Sequence, residues 1–175
     1  MHLNVEIKAR CADPAVIRAV LRDRGADFRG TDHQIDTYFA VPNGRLKLRA
    51  GKIENNLIHY HRPDQAGPKP SEVRLYRPTN GEALGRLLQA ALDVKVVVDK
   101  QREIYFIDNV KFHLDNVAGL GTFVEIEAID ADGGIGAERL YEQCRHYLTL
   151  FGIQADELLR HSYSDMLLNK TEEDA

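Results

Sequence analysis

Charged side chains recur at every second position in several short segments of this sequence, which is the spacing that places side chains on one face of a β-strand. The opposite faces of these segments carry Val, Ile, Leu and Phe. Carboxylates are the ligands that Mg²⁺ and Mn²⁺ prefer, and Lys and Arg neutralise phosphoryl oxygens. Faces that are acidic on some strands and basic on others therefore suit a polyphosphate with a divalent cation. The segments contribute Glu6 and Lys8; Lys47 and Arg49; His59 and His61; Lys100 and Arg102; Lys111, His113 and Asp115; and Glu125 and Glu127.

A simpler interpretation of the charged faces stays open at this point. An antiparallel sheet often has one face in solvent, and that face carries charges. The charges point inward only if the sheet closes and helices cover its outside, and charges held inside are costly unless they are paired or bound to ions. In the same way, His59 and His61 are either a pair of metal ligands or the polar face of one strand.

The elements that position these residues follow from periodicity and turn chemistry. Residues 3–10 alternate strictly, and Asp13 followed by Pro14 is a typical helix start. Most connections between strands are too short for a parallel crossover, so the sheet should be mostly antiparallel and close into a barrel. We count about eight strands and three or four helices. The predicted strands are 3–10, 34–41, 45–50, 57–62, 71–77, 94–99, 102–107, 111–114 and 122–129, and the predicted helices are 14–25, 81–92, 137–151 and 156–169.

Length and composition exclude several classes of protein. The chain has 175 residues, of which 43% are hydrophobic and 29% charged, which indicates one globular domain over residues 1–170 and a flexible acidic tail over 171–175. A net charge of −4 argues against a nucleic-acid partner. No apolar run approaches a membrane span and no secretory signal is evident, so we expect no membrane partner and a cytoplasmic location. Cys11 and Cys144 are expected to stay reduced.

Six segments, in chain order, resemble motifs of the CYTH proteins, which are also called triphosphate tunnel metalloenzymes. The matches span nearly the whole chain, the fifth is the most specific, and the pattern is most similar to the class IV adenylyl cyclase branch. The segments are NVEIK at 4–8 (family ExExK), QIDTYF at 34–39 (QxDxYF), GRLKLR at 44–49 (LRxR), KQREIY at 100–105 (KxRxxY), HLDNVAGLGTFVEIE at 113–127 (LDxVxGLGxFxEIE) and SYSDMLL at 162–168 (SYxDLL).

The resemblance implies an α+β fold, an eight-stranded antiparallel β-barrel that forms a triphosphate tunnel with helices packed outside. It implies Mg²⁺ or Mn²⁺ as cofactor and a small-molecule triphosphate (ATP, tripolyphosphate or thiamine triphosphate) as substrate, and it allows a homodimer. The implied metal ligands are Glu6, Glu125, Glu127 and Asp115. The implied phosphate-binding residues are Lys8, Lys47, Arg49, His61, Lys100 and Arg102. The implied catalytic residues are Asp115, Glu125 and Lys8.

Two positions depart from the family pattern. Asn4 replaces the first acid of ExExK, and His61 stands where relatives have a phosphate-binding Lys. The activity that the resemblance favours is that of a class IV adenylyl cyclase, which converts ATP to cyclic AMP and pyrophosphate. The alternatives are an inorganic or thiamine triphosphatase, which is a hydrolase, and a non-catalytic module that binds polyphosphate or nucleotide.

Overall fold

The structure of the protein, a computed structural model, describes residues 2–173. Its strands are β1 (His2–Arg10), β2 (Asp27–Phe39), β3 (Arg45–Ala50), β4 (Asn56–His61), β5 (Lys69–Tyr76), β6 (Val94–Ile107), β7 (Val110–Val117) and β8 (Gly121–Asp130). Its α-helices are α1 (Pro14–Asp23), α2 (Gly81–Ala91), α3 (Ala137–Leu150) and α4 (Tyr163–Glu173). Among the described residues, no helix combines the length and the apolar character that a membrane span requires.

The eight strands close into a barrel in the order β1-β5-β4-β3-β2-β6-β7-β8, and every neighbouring pair is antiparallel. The predicted fold class is therefore confirmed. Closure gives each of the eight described strands two neighbours, so none of them is an edge strand.

Two of the predicted strands are one strand in the structure. The segments 94–99 and 102–107 form the single strand β6, because the polar residues between them continue the same alternation: Lys100 faces inward and is buried, while Gln101 faces outward and is exposed. Strand β2 also begins at Asp27, earlier than predicted, because it pairs along almost the whole length of β6.

Helix starts follow the predicted capping chemistry. Asp13 accepts a hydrogen bond from the backbone nitrogen of Ala15 at α1, and Asn80 accepts one from Ala83 at α2. The last helix differs from the prediction: α4 begins at Tyr163, because residues 155–157 form only a 3₁₀ turn and Leu158 bridges to Ala9 of β1. Helix α4 continues to Glu173, so the predicted tail begins as helix, and residues 174 and 175 lie outside the described residues.

The main hydrophobic core lies between the outer face of the barrel and the helices. Ile7, Phe112 and Ile126 on adjacent strands are almost completely buried and pack with Leu140 and Cys144 of α3. Helix α1 adds to the same cluster. Because the apolar side chains point outward to these helices, strand alternation turns the charged faces inward.

One end of the barrel is closed by the chain between Leu158 and Tyr163. The backbone nitrogen of Leu159 donates to the carbonyl oxygen of Lys8 at 2.9 Å. Lys69, at the start of β5, is buried and donates from Nζ to the carbonyl oxygens of Leu159 and Arg160 at 3.1 and 3.3 Å. Tyr163 then joins an apolar cluster with Phe123 and other side chains from inside the barrel. The barrel interior is therefore a pocket with a floor rather than an open channel at this end.

Candidate functional site

The barrel interior holds a cavity whose wall contains most of the predicted site residues. Seven Lys and Arg side chains line it against five Asp and Glu side chains, although the whole chain carries a net charge of −4. The cavity therefore attracts anions inside an acidic protein. Eight of the ten predicted residues line it: Glu6, Lys8, Lys47, Arg49, Lys100, Arg102, Glu125 and Glu127.

A carboxylate-rich wall forms where β1 pairs with β8. The register places Glu6 directly opposite Glu127. Asn4 precedes Glu6 on the same face, and its side-chain nitrogen donates to a carboxylate oxygen of Glu127. The carbonyl oxygen of the Asn4 side chain is buried and has no hydrogen-bond partner. Two carboxylates and an unpartnered amide oxygen are the hard oxygen donors that Mg²⁺ and Mn²⁺ take, so these residues fit a divalent cation.

Glu6 and the neighbouring Glu125 are paired with the protein's own cations. Glu6 forms an ion pair with Arg62, which helps to hold its pKa below the ordinary value although burial opposes the shift. Glu125 pairs with Lys8 and accepts hydrogen bonds from Arg102 and from Nδ1 of His113, both at 2.9 Å. A ligand that brings both phosphate oxygens and a metal ion could replace these ion pairs. The phosphate would pair with the Lys and Arg side chains, and the metal ion would pair with the carboxylates.

A cluster of cations surrounds Asp36 on the opposite wall. Asp36 accepts a bidentate pair of hydrogen bonds from Arg49 at 2.8 and 2.9 Å, and one each from Lys47 at 2.9 Å and Lys100 at 2.8 Å. The pKa of Asp36 lies well below its usual range because these cations outweigh the effect of burial. Burial and the neighbouring Arg49 and Arg102 hold the pKa of Lys100 well below its ordinary value. One carboxylate thus gathers three basic side chains at one place in the cavity.

Asp115 faces the barrel interior beside Arg102, but it is buried and does not line the cavity. It binds Arg102 with both oxygens, at 2.6 and 2.5 Å, and accepts a hydrogen bond from the Tyr163 hydroxyl at 2.7 Å. Its contacts are those of a group that orients Arg102 toward the cavity. A role of Asp115 as metal ligand or catalytic group stays a prediction that these contacts do not favour, since both oxygens are already engaged.

His61 does not lie inside the barrel, so the structure does not bring it to the cavity, and its phosphate-binding role stays a prediction that this placement does not favour. The inner face of β4 carries Ile58, Tyr60 and, just past the strand end, Arg62, whereas His61 is exposed on the outer face. The alternation of polar and apolar residues in β4 predicts the wrong inner face, because the apolar cluster at the closed end of the barrel extends along this strand. From this end of β4 it is Arg62 that brings a cation to the cavity: its guanidinium is buried, and Nε and Nη2 have no hydrogen-bond partner among the described residues.

Other residues of the site were not predicted as such. Asp36 was visible in the QIDTYF segment, and Lys111 and His113 in the alternation of β7. Glu54 carried no sequence signal because it lies in the β3–β4 loop: Asp32 accepts hydrogen bonds from the backbone nitrogens of residues 52, 53 and 54 and fixes that loop. Glu54 then pairs with Arg49 at 2.8 Å and with Lys111.

Comparisons with known proteins agree with this geometry. The family model described as CYTH domain matches residues 2–163. A curated protein of Methanocaldococcus jannaschii, "Putative adenylate cyclase MJ0240", is 25% identical over 94% of this chain and 98% of its own length. A solved structure from Vibrio parahaemolyticus, described as a "putative adenylate cyclase", has a TM-score of 0.77 at 17% identity and covers 94% of this chain and 97% of its own. A Hippeastrum protein, described as a "putative adenylyl cyclase" with a dominant triphosphatase activity, has a TM-score of 0.61 at 14% identity over 98% of this chain and 96% of its own.

Proposed function

This chain belongs to the CYTH domain family, and from that premise we propose that it is a divalent-metal-dependent enzyme that acts on a triphosphate inside its barrel. The reaction we favour is that of an adenylyl cyclase, in which ATP gives cyclic AMP and pyrophosphate. The names of the Methanocaldococcus and Vibrio relatives support this choice.

The observation that carries the proposal is the unsatisfied cationic inner wall. Two buried guanidinium nitrogens of Arg62 have no partner among the residues that the structure describes, and buried charged donors without partners are costly. The described cavity has an excess of two positive charges, which a triphosphate with one bound divalent cation would neutralise. Arg62, Lys100 and Arg49 would bind the phosphate oxygens, and Arg102, oriented by Asp115, would add to them.

The proposed metal site consists of Glu6, Glu127 and the carbonyl oxygen of Asn4, with Glu125 beside it. When bound there, a divalent cation would neutralise phosphate charge and polarise the phosphoryl group. Members of this family are metalloenzymes that use divalent metals.

The cyclase reaction requires positioning rather than covalent catalysis. The ribose 3′-oxygen forms a bond to the α-phosphorus, and its hydroxyl proton is released. The bond between the α-phosphorus and the oxygen that bridges the α- and β-phosphates breaks, and pyrophosphate leaves with that oxygen. The Lys and Arg side chains that line the cavity would stabilise the charge that develops on the leaving group. The hydrolase alternative differs only in that a water attacks a phosphorus, so the same wall could serve it.

The test is a product assay with ATP, tripolyphosphate and thiamine triphosphate, each with Mg²⁺ and with Mn²⁺. Cyclic AMP with an equal amount of pyrophosphate supports the cyclase. Release of inorganic phosphate instead would favour the hydrolase, which the description of the Hippeastrum protein makes the second candidate. If no substrate turns over but triphosphate raises the melting temperature, the chain is a binding module.

Two variants tie the result to the cavity. Glu125→Ala should abolish turnover, because it removes a carboxylate of the proposed metal site and the partner of Lys8. Glu72→Ala, on the exposed face of β5, is the matched control and should keep full turnover. Full activity in Glu125→Ala, with its melting temperature maintained, would remove Glu125 from the site.

A further inference from the structure

The wall of the cavity is not charged all the way round. Charged side chains line it from β3 through β2, β6, β7 and β8 to β1, but the adjacent strands β5 and β4 present an apolar surface between them. Two cross-strand pairs make up this surface: Ile58 lies opposite Leu75, and Tyr60 lies opposite Val73. We call these four residues the apolar wall.

The apolar wall does more than fill the barrel. Ile58, Tyr60 and Val73 are buried, but Leu75 lines the cavity with 53% of its surface exposed. Leu75 faces inward beside Ile58 at the end opposite the closed floor, and the exposed half of its surface is an unfilled apolar contact. The charged groups around it cannot fill it, since they pair with one another.

Two polar atoms without partners flank the apolar wall. The hydroxyl of Ser71, which is 1% exposed, and the side-chain carbonyl oxygen of Asn56 are both buried and lack a hydrogen-bond partner in the described structure. Both residues line the cavity beside Val73 and Ile58 respectively. Buried polar atoms are normally satisfied, so two of them beside an unfilled apolar surface indicate a ligand that is apolar and carries hydrogen-bonding groups.

From this arrangement we infer that the apolar wall binds the organic group of the substrate, so that the enzyme selects organic triphosphate esters over inorganic tripolyphosphate. The inference rests on the proposed function, because the cation cluster around Asp36 is what would hold the phosphates. An inorganic chain of phosphates would leave Leu75, Ser71 and Asn56 uncovered. A nucleoside or thiamine group would cover Leu75, and its hydroxyl or amino groups would satisfy the two polar atoms.

The test is a set of calorimetric titrations with Mg²⁺ and ATP, thiamine triphosphate or tripolyphosphate. Wild type should bind at least one organic triphosphate roughly tenfold tighter than tripolyphosphate, as expected for covering one large apolar side chain. Leu75→Ser should remove most of that preference and leave tripolyphosphate affinity unchanged. Leu87→Ser is the matched control, at a leucine of comparable exposure (65% against 53%) on α2 outside the cavity, and it should change neither. The ATP and thiamine triphosphate titrations identify which organic group fits.

Ser71→Ala supplies a second readout that a structural role would not produce. Removing an unpartnered buried hydroxyl should leave the free protein as stable as wild type or more stable, while the affinity for the organic triphosphate falls. The inference would be overturned if wild type bound tripolyphosphate and both organic esters with equal affinity. It would also be overturned if Leu75→Ser lost the same affinity for all three ligands. Either outcome would leave the proposed function standing. Failure of all three to bind would overturn the proposed function itself.

Discussion

Glu6 on β1 lies directly opposite Glu127 on β8, and both side chains face the cavity. Like charges at directly opposed positions of an antiparallel pair destabilise the sheet. Here Arg62 pairs with Glu6 and Asn4 donates a hydrogen bond to Glu127. Among the described contacts, each of the two carboxylates therefore has a single partner. The arrangement is one that a divalent cation between the two strands would stabilise.

We expect position 4 to tune the strength of the proposed metal site. Asn4 is 2% exposed and touches Glu127, so it lies within the carboxylate wall and not at the rim of the barrel. Asn4→Glu would add a third carboxylate, and we expect the metal concentration required for triphosphate binding to fall about tenfold, or about 1.4 kcal/mol. The measurement is a Mg²⁺ and Mn²⁺ titration of triphosphate binding in both proteins.

The control for that charge change is Asn116→Glu, on the exposed side of β7, which should leave the metal requirement as in wild type. In EDTA the Asn4→Glu protein should melt below wild type, because three carboxylates then repel one another without a cation. Superimposable titration curves for wild type and Asn4→Glu would show that position 4 plays no part in metal binding.

Asp36 should be the most important carboxylate for stability of the free protein. Asp36→Asn leaves Lys47, Arg49 and Lys100 together without their shared counter-charge, and loss of one partner from a buried ionic cluster costs about 3–5 kcal/mol. Tripolyphosphate should raise the melting temperature of the variant more than that of wild type, because the anion replaces the missing charge. Urea unfolding with and without tripolyphosphate measures both effects. Equal stability of the two free proteins would contradict the role of Asp36.

The same residue predicts an acid dependence. Its pKa is well below 3.8 in the folded protein and ordinary in the unfolded chain, so its stabilisation is complete above about pH 3.8 and is lost as the pH falls through the folded pKa. The free energy of unfolding of wild type should therefore fall more steeply below pH 4 than that of Asp36→Asn. Parallel curves for the two proteins in that range would contradict the prediction.

How far the sequence predicts this site depends on which strand is considered. In β1, β3 and β8 the charged positions alternate with apolar positions that pack against helices or core, so the parity of Glu6, Arg49 and Glu125 places them inside correctly. In β4 the rule fails, because the apolar cluster at the closed end occupies the inner face and turns His61 outward. Local polarity cannot show this, since the cluster depends on Tyr163, which lies a hundred residues away in the chain.

Loop residues are harder still to predict. Glu54 reaches the cavity only because Asp32, on a different strand, binds three backbone nitrogens of the β3–β4 loop. Nothing in the spacing of residues 51–55 encodes that contact. Similarly, the predicted strands 94–99 and 102–107 are one strand, β6, because closure of the barrel places Lys100 next to Asp36. With this counter-charge, Lys100 is buried within the strand and the chain does not turn at that position.

Triphosphate binding should take up protons at Lys100. Burial and neighbouring cations hold the pKa of Lys100 well below its ordinary value in the free protein, and a phosphate beside it would raise that pKa. At a pH above the free value, binding therefore draws a proton from the buffer, and affinity falls as the pH rises. Titration calorimetry in two buffers with different ionisation enthalpies measures the uptake. It should diminish in Lys100→Met and persist in Lys95→Met, an exposed lysine of the same strand. Identical uptake in both variants would exclude Lys100 as its source.

Neighbouring residues on opposite faces of the barrel give a last test of where the phosphates bind. Arg62 lines the cavity, pairs with Glu6 and has two buried guanidinium nitrogens without a partner among the described residues, whereas His61 is exposed on the outside. Arg62→Met keeps most of the apolar stem of the side chain but removes the guanidinium and its charge, and we expect triphosphate affinity to fall by roughly tenfold to a hundredfold, as for the loss of one charge-assisted contact. His61→Ala should bind as wild type does. Because Arg62→Met also leaves Glu6 unpaired, its melting temperature should fall without ligand and recover with added Mg²⁺, which supplies the counter-charge. A loss of affinity in His61→Ala with none in Arg62→Met would place the phosphates outside the barrel and overturn this assignment.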